Sequence, residues 1–545
     1  MKKINIKNKI CVALLTGLLF SQYSCTDLSE TLYSDIATEK TNFTDGDIKN
    51  LIAPAFSNLR SVYWGWDGLF DIYEESSDLI MTPYRVGTGW GDYYITMHKH
   101  TYNSSVSHFY NLWNFGYKGV GSINNVLDLE NPVVNEYRPE LRAMRALFYY
   151  YLFDNFRNIP LLKTNKLEPG FLPSQVGQEE MYNFIVSELN EVKGTISTST
   201  TNYGHMNKYA VNMVLAKMYL NHNAWFGTND NSYYQKALAE INEIITAGKY
   251  SLATNYTDPF KDNLSTCPEV IFAIPFDIVY ASGNYLSNKA LHGGSAATFG
   301  LSSAPWNGSC AVPQFIDTYD ADDARLKSTW LIGTQYNANG NVIQINGKPM
   351  VYTKDVSSID NPGAYEFEGA RFHKYQILPG NVGTYSDDVP LFRLSDAYFI
   401  KAECLLRLGQ DEQTAANLIT QVRERAFTTN AAKAVRTVAQ LKGASVYNYG
   451  HYENGKWQTV EGGGNIELGG LLDDLAWEFV GEHHRRQDLI RFKVSGTDVN
   501  VYTGKSWFCK DAETSTANYK NIFPIGQTFL DANMNLKQNP GYLNK

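Results

Sequence analysis

Apolar residues recur at helical spacing in two blocks of the chain. In the first block the pattern predicts helices over residues 138–156, 179–192, 208–220 and 233–247. In the second block it predicts helices over residues 392–408, 415–426 and 471–479. The sequence Arg157-Asn-Ile-Pro160 ends the first of these helices, because proline disfavours helical geometry at the residue before it.

The residues between the two blocks lack this helical spacing. Short β-like runs, such as Val-Ile-Phe-Ala-Ile at 270–274, alternate there with loops rich in Gly, Asn and Ser. The sequence therefore predicts a mostly α protein with helical blocks at about 44–250 and 390–490. A loop-rich region with short β-strands lies between them at about 251–389.

Two of the predicted helix pairs resemble each other. Both place small residues where two antiparallel helices would cross and large aliphatic residues beside them, a pattern typical of tetratricopeptide (TPR) units. The small residues concerned are Ala210, Ala216 and Ala237 in one pair and Ala397, Ala402 and Ala415 in the other. The pattern favours a helical-repeat scaffold, with a generic helix-hairpin domain as the alternative.

The first residues indicate export. Four lysines precede an apolar stretch over residues 10–20, which is too short to span a bilayer, since spanning takes about 20 apolar residues. Residues 1–24 are predicted to be a lipoprotein signal peptide, because Ser24 precedes a cysteine just beyond the apolar stretch. We expect cleavage before Cys25 and acylation of its sulfur and amino group. Ordinary secretion with a free Cys25 thiol is the alternative.

Charge and length restrict the partners and the architecture. The formal net charge is -9, and removing residues 1–24, which hold four lysines and no acids, takes it to -13. This acidic balance and the lack of basic runs argue against nucleic acid or an anionic membrane surface as a partner. A single core rarely exceeds about 250–300 residues, so 545 residues predict two lobes or a repeat architecture.

Four ordered motifs identify a family. They are Arg142 to Phe153 with Asn158-Ile-Pro160, Arg393 to Glu403 with Val422 to Ala426, Glu482 to Arg491, and Phe523-Pro-Ile525 with Asn535 to Tyr542. Through these motifs the chain resembles the SusD/RagB family of outer-membrane nutrient-binding lipoproteins over nearly all of its mature length.

The resemblance implies a single SusD-like domain over residues 25–545. TPR-like helix pairs would form its superhelical scaffold, a loop-rich face would carry the ligand site, and the segment 491–545 would pack back on the scaffold. It also implies a lipid anchor at Cys25, a place on the outer surface of the outer membrane, and a SusC-like TonB-dependent transporter as partner. The ligand would be an oligosaccharide or polysaccharide that the protein hands to the transporter.

The first candidate binding segment runs from Tyr84 to Tyr94. Sugar recognition needs flat apolar faces for the C–H side of a pyranose ring and polar groups for its hydroxyls. Trp90 lies between two glycines, where a loop can project it. Arg85 and Asp92 can reach hydroxyl groups, and the tyrosines Tyr93 and Tyr94 follow at once. Packing of Trp90 against the helices is about as plausible as ligand contact, and packing is favoured for Tyr93.

The second candidate segment lies in the loop-rich region. It contributes Asn284, Tyr285 and Trp306 as predicted glycan contacts. Other prominent residues are better explained by packing. Trp66, in the sequence Trp64-Gly-Trp66-Asp67, follows a helical segment, so a core or packing role is favoured over ligand contact. Trp113 and Trp477 occur at helical spacing and are expected in the core.

Charged residues in the motifs receive a structural interpretation. Arg393, Asp396, Glu403, Arg423 and Arg425 are predicted to form an internal network of ion pairs. The pair His483-His484 is expected at a solvated helix end, and the acidic run at 320–323 is expected to cap a helix. No metal ligand set or cofactor motif is predicted.

Three other functions stay open. A peptide-capturing protein of the RagB type would use similar aromatic loops, although it would favour charged or strand-like edges. A purely structural lid would leave the ligand contacts to the transporter. A glycoside hydrolase would need two carboxylates about 5–10 Å apart, which 56 acidic residues allow. However, the chain has no recognisable nucleophile elbow, phosphate loop or zinc helix, and a non-enzymatic function is therefore favoured.

Overall fold

The computed structural model describes residues 43–63, 66–85, 90, 92–361, 365–513 and 515–542. The predicted signal peptide and Cys25 lie outside these residues. The α-helices run over Asp45–Tyr63 (α1), Leu69–Glu74 (α2), Asp92–His98 (α3), Ser107–Leu127 (α4), Val134–Phe156 (α5), Gln178–Lys193 (α6), Lys208–Phe226 (α7), Asn231–Ala247 (α8), Leu286–Ala290 (α9), Ala296–Phe299 (α10), Pro313–Ile316 (α11), Ala324–Thr329 (α12), Leu394–Leu408 (α13), Glu412–Glu424 (α14), Val438–Lys442 (α15), Gly469–Phe479 (α16), Arg485–Arg491 (α17), Val501–Gly504 (α18) and Gln527–Ala532 (α19).

The strands are short. They run over Ile80–Met81 (β1), Val270–Ile274 (β2), Cys310–Ala311 (β3), Trp330–Leu331 (β4), Gly333–Thr334 (β5), Gln344–Ile345 (β6), Lys348–Pro349 (β7), Val351–Tyr352 (β8), Arg371–Phe372 (β9), Val389–Arg393 (β10), Gly450–Glu453 (β11), Lys456–Trp457 (β12) and Trp507–Phe508 (β13). Short 3-10 helices occur at Asp258–Phe260, Gly293–Ser295, Ala431–Ala434 and Ser515–Asn521. The mostly α fold with small sheets is thus confirmed.

The long helices pack in a continuous row. Helix α1 packs on α4, α4 on α5, α5 on α6, α6 on α7 and α7 on α8. The row then continues from α8 to α13 and from α13 to α14. The alanines predicted at the helix crossings, for example Ala216 and Ala402, are fully buried. The predicted helix pairs α7–α8 and α13–α14 are therefore neighbours in space, although about 150 residues separate them in the chain.

The intervening residues form the loop-rich face. The strands β2 and β10 mark its two ends and pair antiparallel, with Val389 opposite Ile274. The pairs β4–β9, β5–β8 and β6–β7 are also antiparallel and lie within this insertion. The pair β1–β3 ties the insertion to the segment after α2, with Ile80 opposite Ala311. A three-stranded sheet outside the insertion has the order β12-β11-β13. The β1–β3 pairing therefore brings the segment around residue 80 next to the insertion around residue 311, although about 230 residues separate them in the chain.

The internal ion pairing predicted for the motif residues is confirmed, although the five residues fall into separate groups of pairs. Arg393 at the end of β10 contacts Glu269 at 2.8 Å, Glu478 of α16 at 2.8 Å and Glu482 at 2.7 Å. Arg425 also pairs with Glu269 and with Glu478. The other predicted members pair elsewhere in the core, as Glu403 with Arg491, Asp396 with Lys217 and Arg423 with Asp474. The network ties the second helical block to the start of the loop-rich insertion.

One prediction about charged residues is wrong. His483 and His484 do not lie at a solvated helix end; they are 6% and 8% exposed. The His484 ring stacks on Phe479 with 4.6 Å between ring centroids. Burial lowers the pKa of His483 to about 3, so this ring is neutral at physiological pH. Asp323 behaves as predicted, since its carboxylate caps α12 by accepting the Arg325 N–H at 2.9 Å.

The last described segment returns to the helical row. The Phe523 N–H donates to the Asn155 carbonyl at 2.7 Å, and the Phe523 ring stacks on Phe109 with 4.4 Å between centroids. The Asn539 side chain donates to the Phe156 carbonyl at 2.9 Å. In the described part of the chain, no helix is both long and apolar enough to cross a membrane.

Candidate functional site

Three aromatic side chains from distant segments meet at the surface. Trp66 lies 5.3 Å from Trp306 and 6.0 Å from Tyr285, measured between ring centroids, and both contacts are edge-to-face. Tyr285 stacks on Trp306 at 5.2 Å with 24° between the ring planes. Trp66 is 37% exposed, and the other two rings are half-buried. We call Trp66, Tyr285 and Trp306 the aromatic platform.

The turn after α1 holds Trp66 in place. Asp67 has a positive φ of 56°, a conformation that aspartate adopts more readily than most residues. Its carboxylate accepts hydrogen bonds from the Ser107 hydroxyl at 2.8 Å and from the Asn111 amide at 2.5 Å, and its N–H donates to Asp71 at 2.8 Å. With both oxygens and the N–H occupied, the turn presents Trp66 in a fixed orientation.

The turn that carries Trp306 is fastened to α9. The N–H groups of Trp306, Asn307 and Gly308 donate to backbone carbonyls of α9 and the residue after it, at 2.8, 2.7 and 2.6 Å. A Cβ atom at Gly308 would lie 2.8 Å from the Lys289 carbonyl oxygen and 3.0 Å from the Trp90 ring. Glycine is therefore required at this position, because only glycine lets the turn approach both neighbours so closely.

Trp90 and Tyr94 form the layer behind the platform. Trp90 is 9% exposed, and its indole N–H donates to the Trp306 carbonyl at 2.9 Å. Its ring contacts Tyr94 edge-to-face at 5.5 Å. Tyr94 is buried, and its hydroxyl donates to Asp71 at 2.9 Å. In this structure both residues support the turn of Trp306 instead of facing solvent.

A buried charge cluster lies beneath this layer. Lys289 of α9 contacts Asp71 and, at 2.7 Å, Glu75, and all three residues are fully buried. Its ammonium group also lies 4.2 Å from the centre of the Tyr94 ring. Burial alone would raise the pKa of Asp71, but Lys289 and His108 hold it at about 2. The cluster joins α2 to α9 and so joins the two segments that carry the platform.

The other predicted contacts have different positions. Arg85 is 3% exposed, and its guanidinium donates to the carbonyls of Gly308 and Glu368. Asn284 is 1% exposed; its amide nitrogen donates to a backbone carbonyl at 2.8 Å and its oxygen accepts the N–H of Leu286. Both side chains hold loops together in this conformation. Tyr93 precedes Tyr94 in α3 and is 46% exposed, and Asp92 is the first residue of that helix.

Sequence reasoning missed Trp66. It was expected in the core because it follows a predicted helix, whereas Trp113 and Trp477, assigned to the core on the same grounds, are indeed 5% and 6% exposed. The signal that could have separated them is the short Gly-Trp-Asp-Gly sequence at 65–68, which is typical of a turn.

Glu74, next to the charge cluster, gives a pH-dependent prediction. Burial raises its pKa to about 8, against the opposing effect of backbone N–H groups from Gly481 and His483. The folded protein therefore holds a proton that the unfolded chain releases above about pH 4.5, and the stability that this proton contributes is lost as the pH rises towards 8. We expect the free energy of unfolding of Glu74→Gln, relative to the wild type, to increase from pH 5 to pH 8, by up to about 1.4 kcal/mol per pH unit.

Urea unfolding at several pH values measures this difference. Glu130→Gln is the matched control, because the Glu130 side chain is 94% exposed, and its difference from the wild type should not change with pH. A constant difference for Glu74→Gln across the same range would show that Glu74 is ionised in the folded protein.

The platform can stack against the flat apolar face of a ring-shaped ligand, as aromatic side chains do in small-molecule sites. The residues that the structure describes contain no group of three or more His, Cys, Asp or Glu side chains placed to hold a metal ion. Fold and site together define a helical-repeat protein whose aromatic surface is carried by loops between the helices.

Comparison with known families agrees with the fold. The model described as the SusD family matches residues 268–542, and a model described as starch-binding associating with outer membrane matches residues 72–220. The chain belongs to the SusD family.

Individual relatives are distant but cover most of the chain. The starch-binding protein SusD of Bacteroides thetaiotaomicron is 27% identical over an alignment 444 residues long, which covers 74% of this chain and 72% of that protein. SusD-like protein P25 of Formosa agariphila is 24% identical over 88% of each chain.

Solved structures show the same fold at low sequence identity. A SusD superfamily protein from Parabacteroides distasonis superposes with a TM-score of 0.68 at 20% identity, over 92% of this chain and all of that one. Surface glycan-binding protein A from Bacteroides thetaiotaomicron, solved in complex with laminarihexaose, superposes with a TM-score of 0.66 at 19% identity. This superposition covers 91% of this chain and 100% of the glycan-binding protein's chain.

Proposed function

We propose that this protein binds a glycan on the aromatic platform, without cleaving it, at the surface of the outer membrane. The observation that carries the proposal is the meeting of Trp66, Tyr285 and Trp306 at one partly exposed surface. Rigid aromatic rings suit the C–H face of a pyranose because they contribute apolar area and lose little conformational entropy on binding.

The relatives support the same ligand class. The name of one curated relative describes starch binding, and one structural neighbour was solved with a laminarin hexasaccharide. The peptide alternative has less support, because the platform consists of rings and lacks the free strand edge that captures extended peptides. We propose that the bound glycan is handed to a SusC-like TonB-dependent transporter, which the protein would cover as a lid.

Binding without hydrolysis can be tested directly. Mature protein run through native gels that contain starch, laminarin or another polysaccharide should be retarded by at least one of them. The same protein incubated with that polysaccharide should release no reducing ends. Retardation with no new reducing ends supports the proposal, whereas cleavage of the polysaccharide would make the protein a hydrolase.

The lipid anchor gives a separate prediction. Cells that express the wild-type protein in the presence of labelled palmitate should incorporate label into it, and Cys25→Ala should incorporate none, because Cys25 is the proposed acylated residue. Cys11→Ala is the matched control, since Cys11 lies in the apolar part of the predicted signal peptide and is removed with it. Label retained by Cys25→Ala would place the anchor elsewhere or exclude it.

A further inference from the structure

Three basic side chains of the segments that carry and support the platform are buried. Arg85 and Arg371 are 3% and 0% exposed, and both donate to the carbonyl of Gly308, at 3.2 and 3.3 Å. Lys289 is fully buried and is occupied by Asp71 and Glu75. These three cations hold the turn of Trp306 and α9 from below, and none of them presents a free N–H donor at the surface.

Acidic residues outnumber them in the same segments. Residues 66–75, 84–94, 284–292, 302–308 and 365–371 contain seven Asp or Glu and three Lys or Arg. Three of the seven acids, Asp71, Glu74 and Glu75, are fully buried and add no charge to the surface. Glu366 borders the platform, because its carbonyl accepts from the Asn307 side chain at 3.4 Å, and its own carboxylate is 38% exposed. His292, 3.6 Å from that carboxylate, adds no charge at neutral pH, since burial lowers its pKa to about 4.

The neighbouring residues outside the structural description do not alter this balance. Residues 64–65, 86–89, 91 and 362–364 contain no ionisable side chain in the sequence. Among the described residues of these segments, the aromatic rings of Tyr84, Tyr93 and Tyr365 also reach the surface, at 38%, 46% and 40% exposure.

A carboxylate or sulfate that is buried on binding loses its hydration, and Arg or Lys side chains are the donors that best replace it. Neutral hydroxyl groups need only ordinary dipoles, which backbone and tyrosine groups supply. Resting on the proposed function, we infer that the platform selects uncharged glycans and discriminates against uronic acids and sulfated sugars. The buried cations thus stabilise the platform and leave the exposed carboxylate of Glu366 as its acidic border.

The test compares neutral and anionic forms of one polymer. A neutral polysaccharide that retards the protein is carboxymethylated on about one sugar in three, and a hydroxyethyl derivative of the same substitution serves as a control for bulk. By calorimetry at low salt, we expect the carboxymethyl derivative to bind at least tenfold more weakly than the hydroxyethyl one. Added NaCl should reduce the gap, because salt screens the repulsion.

Alginate and polygalacturonate are included in the same panel. Stronger binding to either of them than to any neutral polymer, or equal binding of the two derivatives, would overturn the inference while leaving glycan binding intact. Failure to bind any polymer, neutral or acidic, would instead overturn the proposed function and the inference together.

A variant separates charge from shape. Glu366→Gln should bind the carboxymethyl derivative severalfold more tightly than the wild type does, and its affinity for the hydroxyethyl derivative should stay within twofold. Unchanged affinity for both derivatives would show that the acidic border does not discriminate.

Discussion

Trp66→Ala and Trp306→Ala are each expected to weaken glycan binding by about 10–100-fold, which is about 1.4–2.8 kcal/mol. Each substitution removes one ring of the aromatic platform and the stacking surface that it offers. The effect of Trp306→Ala should be the larger, because Trp306 contacts Trp66, Tyr285 and Trp90 and its loss disorders the whole platform. Calorimetric titration with the polysaccharide that retards the wild type measures both.

Trp457→Ala is the matched control for a surface tryptophan. Trp457 is 42% exposed on β12, where its ring contacts Tyr452 of β11, and its removal should leave the affinity within twofold. Thermal unfolding of all three variants shows whether they are folded. If a folded Trp66→Ala binds as tightly as the wild type while Trp457→Ala does not, the binding surface is the β11–β12 hairpin.

Glu478→Ala is expected to lower the free energy of unfolding by about 3–5 kcal/mol, the range for breaking a buried ion pair. Glu478 is fully buried and contacts Arg325, Arg393 and Arg425. Burial opposes its charge, but the three arginines hold the pKa of Glu478 far below its ordinary value, so the carboxylate is ionised in the folded protein. The variant leaves three buried guanidinium groups with too few anionic partners.

Lys433→Ala tests the contrast with an exposed pair. Lys433 contacts Asp320 and Asp322 at 2.7 and 2.8 Å, but its side chain is 40% exposed, so solvent screens the pair and the variant should unfold at the wild-type denaturant concentration. Equal and small effects of the two substitutions would show that the buried network does not stabilise the fold.

Local sequence patterns predicted the scaffold well. The strand at 270–274 and the helices around 208–220 and 471–479 occur where expected, because their apolar spacing depends on local geometry. The residues 392 and 393 belong to β10 and not to the following helix, since Phe392 pairs with Phe272 across the β2–β10 ladder. A helix boundary that depends on a partner strand 120 residues away cannot be predicted from the local pattern.

The site was predicted only in part, for a related reason. Tyr285 and Trp306 were singled out by their loops, and both belong to the platform. The exposure of Trp66 depends on the turn at Asp67, which α4 holds through Ser107 and Asn111. Without these two hydrogen bonds from α4, nothing in the local sequence would fix the turn that exposes the Trp66 ring.

Arg85 and Asn284 show the opposite case, in which residues predicted to contact a ligand are occupied by hydrogen bonds within the fold. Both are polar residues in loops, which favours solvent contact, yet their hydrogen-bonding groups are used by backbone from segments far along the chain. Polar loop residues that serve a fold in this way look the same in sequence as residues that serve a ligand.

The most direct measurement of the central claim is a crystal structure of the mature protein soaked with an oligosaccharide from the polymer that it binds. The account predicts a sugar ring stacked against Trp66 or Trp306, with its glycosidic bonds intact. Sugar bound elsewhere would contradict it, for example in the cleft of about 610 Å³ beside Tyr137, Glu140 and His205, with the platform empty.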